Sequence, residues 1–151
     1  MNLYRLVYAS QSTTSEHGRD LSRATLDAIA RESEGHNRLH EITGVLVHAG
    51  GCFLQQIEGA LEAIDMLYGK ICRDPRHTDV TLVVQQPIAT RRYGSWSMAV
   101  VDNPVDDPTR DLECMLRVGS EAHSDALELA ELMFPSPYAI EAARVGLVAP
   151  Q

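Results

Sequence analysis

An amide stands where a core side chain is expected. In Cys52-Phe53-Leu54-Gln55-Gln56-Ile57-Glu58, Phe53, Gln55 and Ile57 fall on one face of a strand, because strand side chains alternate. The two apolar neighbours mark that face as interior and carry Gln55 in with them. A buried amide without partners costs about 1–3 kcal/mol. It also offers a carbonyl acceptor and an NH2 donor on one rotatable end. Gln55 therefore either satisfies backbone groups locally or faces the polar edge of a ligand. Tyr8 alternates with Tyr4 and Leu6, so its phenol points inward as well. For a lone tyrosine, a core position with a backbone partner is the simpler reading.

The other polar candidates each have an ordinary explanation when taken singly. Asn37, in His36-Asn37-Arg38 after the expected end of a helix, reads as a C-cap or turn residue. Lys70 and Asp74 have the i, i+4 spacing of a surface ion pair, and Arg76 and His77 read as loop residues. Trp96 and Met98 are expected to share one face of a last strand, where core packing explains both. Together, an interior tyrosine, an interior glutamine, a helix-end asparagine and an inward methionine on one layer point to a bound ligand.

Those residues need a scaffold, and the pattern supplies one. Residues 3–9 alternate as a first strand, and residues 11–18 are polar loop. Leu21, Thr25, Ala28 and Ile29 recur at helical spacing over about 19–34, with Gly35 as the expected stop. Strands at 42–48 and 52–58 flank Ala49-Gly50-Gly51, a hairpin signal. Ala60, Ile64, Leu67 and Ile71 form the stripe of a second helix that Pro75 ends. Residues 78–86 read as a β-branched strand, 87–95 as a turn and 96–101 as the last strand. The order β-α-β-β-α-β-β predicts an α/β (α+β) ferredoxin-like sheet with both helices on one face. Asn103-Pro104 and Asp107-Pro108 then punctuate the chain. Helices expected at 111–118 and 124–133, stopped by Phe134-Pro135-Ser136-Pro137, are too short to stand alone in water. They are expected to cap the open sheet face. The division is a domain over 2–102 and a helical extension over 103–151.

Bulk properties narrow the function. A chain of 151 residues with 44% hydrophobic and 23% charged residues is long enough for one real core. Its net charge of −8 argues against a nucleic-acid surface, which needs clustered Lys and Arg. Cys52, Cys72 and Cys114 have no C-x-x-C spacing, so neither a disulfide framework nor a metal site is expected. No apolar run reaches the roughly 20 residues of a membrane helix. The start, Met1-Asn2-Leu3-Tyr4-Arg5, lacks signal-peptide organisation. A cytoplasmic protein is expected.

In this order and spacing the chain resembles the BLUF family of blue-light sensors that bind flavin. The matching stretches are Leu3-Tyr4-Arg5-Leu6-Val7-Tyr8-Ala9-Ser10, His36-Asn37, Ile42-Thr43-Gly44-Val45-Leu46, Phe53-Leu54-Gln55-Gln56-Ile57-Glu58-Gly59, Arg73-Asp74-Pro75-Arg76-His77 and Trp96-Ser97-Met98. The resemblance implies that Tyr8 and Gln55 are the photoactive pair, and that Asn37 hydrogen-bonds the isoalloxazine carbonyl edge. It puts Ile71 on the ring, Lys70 and Asp74 in the pocket between the helices, and Arg76 and His77 toward the ribityl and phosphate end. Trp96 and Met98 would lie on the strand that reports the switch. It further implies FAD, with FMN possible, no enzyme activity, and output through an unidentified downstream protein or a homo-oligomer. Lys70 stands where several relatives carry Arg, His36 where Asn is common, and Gln56 is more polar than is usual there.

Three rival readings are open to a direct check. Cys52-Phe53-Leu54-Gln55 is similar to the cysteine motif of LOV photoreceptors, but its flanking Asn and Arg are missing, and Cys52 alternates away from Gln55. A flavin-dependent oxidoreductase would need a nicotinamide site or a paired acid and base, and the glycine fingerprint of dinucleotide folds is absent. A cofactor-free ferredoxin-like interaction module explains the topology but leaves Tyr8, Asn37, Gln55 and Met98 as coincidence. The colour of the purified protein separates this last reading from the others.

Overall fold

A computed structural model of the chain describes residues 2–12, 23–49, 52–94, 96–102, 131 and 134–144. Its elements are β1 (Leu3–Ser12), α1 (Arg23–Leu39), β2 (Thr43–Ala49), β3 (Cys52–Ala60), α2 (Leu61–Arg73), β4 (His77–Ile88), β5 (Ala99–Asp102) and α3 (Pro137–Arg144). The five strands form one mixed sheet in the order β4-β1-β3-β2-β5. β1 pairs antiparallel with β3 and β4, and β2 antiparallel with β3. β5 adds in parallel to β2. This is the expected ferredoxin-like arrangement with one extra edge strand.

β3 is central and buried along nearly its whole length, so its two faces feed two cores. On the helix side, Phe53 and Ile57 pack with Leu6, Tyr8, Leu26, Leu46, Ile64 and Met98. On the far side, Cys52 and Leu54 pack with Val7, Val45, Val83, Tyr93 and Trp96, and with Phe134 and Ile140 of the C-terminal segment. That segment thus covers part of the face that α1 and α2 leave open. The other two helices expected in the extension lie outside the described residues, apart from Glu131.

Several boundaries differ from the sequence expectation, each for a local reason. α1 runs through Gly35 to Leu39, since a single helical glycine costs only about 1 kcal/mol. The turn comes at Glu41, in the left-handed region at φ 55°. β1 continues to Ser12 because β4 pairs with it there, Ser12 opposite His77. β4 keeps Pro87 within the strand, where proline is tolerated because β4 is an edge. Asp74, before Pro75, is extended at φ −71° and ψ 122° and ends α2 as expected. Gly44 is required: a Cβ there would lie 2.2 Å from the Gln56 carbonyl oxygen, so only glycine lets β2 approach β3 so closely.

Candidate functional site

The register of β1 against β3 sets Tyr8 directly opposite Gln55, with both side chains 4% exposed. The Tyr8 hydroxyl donates to Gln55 Oε1. The other end of the amide, Nε2, lies 3.6 Å from Met98 Sδ. The Tyr8 ring is flanked by Tyr68, tilted at a centroid distance of 6.0 Å, and by the edge of His77, also at 6.0 Å. Burial, reinforced by the nearby Asp74 charge, pushes the Tyr8 phenol well above the usual tyrosine range. Tyr8 is therefore a neutral donor, fixed by one bond to an interior amide.

The pair opens on a cleft between the sheet and the two helices. Ile29 of α1, Ile71 of α2, Leu46 of β2 and Phe53 of β3 give it apolar walls, and Asp74, Arg76 and His77 line its polar end. Apolar walls with a few convergent polar groups at one end suit a small organic ligand. The Ile71 carbonyl can only accept, so His77 Nε2 carries a hydrogen toward it, and Nδ1 lies 2.8 Å from the Ser10 hydroxyl.

Asn37 lies in the last turns of α1 rather than beyond its end, and it is 1% exposed. Its Nδ2 donates to the Ser97 carbonyl at 2.8 Å, while its Oδ1 is buried with no hydrogen-bond partner. A buried acceptor left over carries a cost of about 1–3 kcal/mol and marks a place for a ligand N–H. Asp74 pairs with Arg76, not with Lys70: Arg76 Nη2 lies 2.7 Å from one Asp74 oxygen and Nε 3.0 Å from the other. Arg76 also reaches Glu32 of α1 at 2.9 Å. The Arg76 hydrogen bonds hold the Asp74 carboxyl below its ordinary value against the opposing effect of burial. Lys70 is exposed and lies outside the cleft, in a shallow depression with Glu32 and Arg73 that meets the cleft at Asp74 and Arg76.

Trp96 and Met98 do not share a face. Trp96 packs in the far-side core and Met98 in the helix-side core. Alternation fails here because β5 starts only at Ala99 and the chain bends at Ser97. The carbonyls of both residues before Met98 are used sideways, Trp96 by Gly44 N–H at 3.3 Å and Ser97 by Asn37. Cys52 faces the far core, away from Gln55. Among the described residues no group of three or more His, Cys, Asp or Glu is placed to hold a metal ion.

A sequence model described as "Sensors of blue-light using FAD" (BLUF) matches residues 3–99. The chain belongs to the BLUF family. It is 43% identical over 97 residues to the photoactivated adenylate cyclase subunit beta of Euglena gracilis, a match that covers 64% of this chain and 11% of that protein. The subunit alpha of the same organism is 40% identical over 93 residues, or 62% of this chain and 9% of that protein. The chain thus spans about a tenth of the length of these cyclase relatives. Among solved structures, a BLUF protein called BlrB in its dark state is 30% identical with a TM-score of 0.64, covering 86% of this chain and 93% of that one. The photo-activated state of BlsA is 27% identical with a TM-score of 0.63, covering 100% and 98%. As a BLUF domain, the chain is a flavin-binding blue-light sensor, and its residues fit that cofactor: an apolar cleft, a Tyr–Gln pair at its wall, and the unmatched Oδ1 of Asn37.

Sequence reasoning missed Glu32, Ser10, Leu46 and Phe53 as neighbours of the cleft. Phe53 was recoverable, since it alternates onto the same face as Gln55. Glu32 was not, because its link joins α1 to Arg76 beyond the end of α2, a partner far away in sequence.

Proposed function

We propose that Tyr8 and Gln55 are the switching pair of this photosensor, beside a non-covalently held flavin, for which the family resemblance favours FAD. The carrying observation is the Tyr8–Gln55–Met98 line, in which one buried amide is bonded at both ends. Ile29 and Ile71 would sandwich the ring system, Asn37 Oδ1 would accept from its N–H edge, and Asp74, Arg76 and His77 would stand toward the side chain of the cofactor, with Lys70 at the rim. A bound flavin supplies blue absorption, an electron demand on Tyr8 and a spectrum sensitive to hydrogen bonds at its ring edge.

The residues' own part is proton and hydrogen-bond work. Tyr8 holds its proton on a hydroxyl aimed at Gln55 Oε1, so electron and proton can leave it together. With the electron taken up by the flavin, Gln55 would receive that proton at Oε1 and give one up from Nε2 toward the cofactor, which leaves the imidic acid tautomer, or it would rotate; either exchanges donor for acceptor at each end of the amide. The fold around it would change little, which suits a two-state element biased by a local event.

Residues 2–102 would form the sensing domain and 103–151 an extension on the far face. Output would pass to a separate protein or through a homo-oligomer, in the cytoplasm, with no catalysis by the residues described. No described helix is long and apolar enough to cross a membrane. The test is an absorption spectrum in darkness and after blue light. A flavin spectrum that moves slightly to the red and reverts in darkness is expected. A colourless protein, or a lasting loss of the blue band as in a thiol adduct, overturns the reading.

A further inference from the structure

The far face of the sheet carries a polar network that the flavin-side chemistry does not use. Glu58 is 1% exposed. Its carboxylate accepts the backbone N–H groups of Arg92 and Tyr93 at 2.7 and 2.8 Å, and the Thr43 hydroxyl at 3.2 Å. Gln56, two residues earlier and equally buried, donates to Glu58 at 3.5 Å and accepts from Arg5 Nη1 at 3.2 Å. Arg5 pairs in turn with one oxygen of Glu131, and Arg92 Nη1 lies 3.0 Å from the other. Tyr93, under the Arg92 guanidinium, donates its hydroxyl to the Pro135 carbonyl at 2.9 Å.

A buried carboxylate pinning a loop is ordinary structural work, and Glu58 does that. Glu131 is different, because it belongs to the C-terminal segment and is gripped from two separate elements, β1 and the β4–β5 connection. Arg5 is 14% exposed and Glu131 33%, so this pair is partly shielded from the solvent that weakens surface pairs. Charge-assisted bonds of this kind are the strong ones. Gln56 and Gln55 are consecutive on β3 with side chains on opposite faces, so a movement of the strand at Gln55 reaches Arg5 through one side-chain bond.

We infer that Glu131 is the latch that holds the C-terminal segment on the sheet, and that Gln56 ties this latch to the strand bearing Gln55. The light dependence of the latch rests on the photosensor reading above; its existence in darkness does not. Hydrogen exchange followed by mass spectrometry on the flavin-loaded chain tests both parts. In darkness, Glu131→Gln raises exchange across 134–144 about ten-fold, the scale of one lost charge-assisted hydrogen bond. Arg92→Ala, at a more exposed position, gives a smaller rise of the same sign. Unchanged exchange in both variants overturns the latch. Under blue light the wild type changes its exchange across 134–144, and Glu131→Gln keeps the red shift but loses that change. A wild type that shifts to the red with equal exchange in light and dark overturns the tie to Gln55. A wild type with no red shift overturns the photosensor reading and the tie with it, while the dark measurements still decide the latch.

Discussion

Gln55 is gripped unequally at its two ends: Tyr8 donates a hydroxyl hydrogen bond to Oε1, while Nε2 meets only the thioether sulfur of Met98 at 3.6 Å. A thioether is a weak acceptor on a flexible side chain. On the proposed switch, the amide is held firmly at the end that would take the proton and loosely at the end that would move. Rearranging it would sacrifice little at Met98.

Tyr8→Phe and Gln55→Leu should each retain flavin and abolish the light-induced red shift. The first removes the proton and electron donor, the second the group that switches. Tyr8→Phe leaves Gln55 Oε1 without its donor, at about 1–3 kcal/mol, which a folded domain can survive. Absorption spectra in dark and light check both, and a normal red shift in either removes that residue from the pair.

Met98→Leu removes the sulfur while nearly conserving volume, so its stability cost should stay below about 1.5 kcal/mol. The red shift should persist, because the Tyr8 bond is untouched. Dark recovery should change rate, since the Nε2 end loses its partner. A recovery time equal to that of the wild type would show that the contact plays no part in the return step.

The inward direction of Tyr8 and Gln55 was legible because period two holds wherever a strand is real, and β1 and β3 are long and central. The place of Asn37 was not legible, since Gly35 reads as a helix stop while α1 runs on to Leu39 and buries Asn37 against the Ser97 carbonyl. Alternation misled at Trp96 and Met98, because it presumes a strand where the chain bends. The partners of Gln56, Glu58 and Arg76 were not legible at all. Each depends on which loop or helix end tertiary packing delivers to it, and no local pattern encodes that.

Acid should expose the Asp74–Arg76 pair. A carboxyl held low in the folded state contributes stability that is present above its unfolded value of about 3.9 and is lost as pH falls through the folded value. Asp74 is such a group, through its Arg76 hydrogen bonds. Asp74→Asn keeps an oxygen for the Arg76 backbone N–H, which Asp74 Oδ1 accepts at 2.9 Å, and removes the charge. It should lower stability by about 1 kcal/mol near pH 7, as for a partly exposed pair. The difference from wild type should narrow as pH falls below about 3.9 and the wild-type carboxyl takes up its proton. Urea midpoints followed from pH 7 into acid measure it, and a difference that does not narrow would assign the effect to packing.

Trp96 and Cys52 both pack in the far-side core, on the other face from Tyr8 and Gln55. Trp96→Phe and Cys52→Ala should therefore leave flavin binding and the red shift intact. Their cost should appear in stability, because each empties part of a core that also receives Phe134 and Ile140. The loss should be about 1–3 kcal/mol, larger for the tryptophan. Thermal or urea unfolding in darkness gives the stability, and difference spectra give the switch. Trp96 fluorescence then reports the packing of the C-terminal segment rather than the state of the amide. Either variant losing the red shift with flavin still bound would mean that the two faces are coupled more tightly than their separate cores imply.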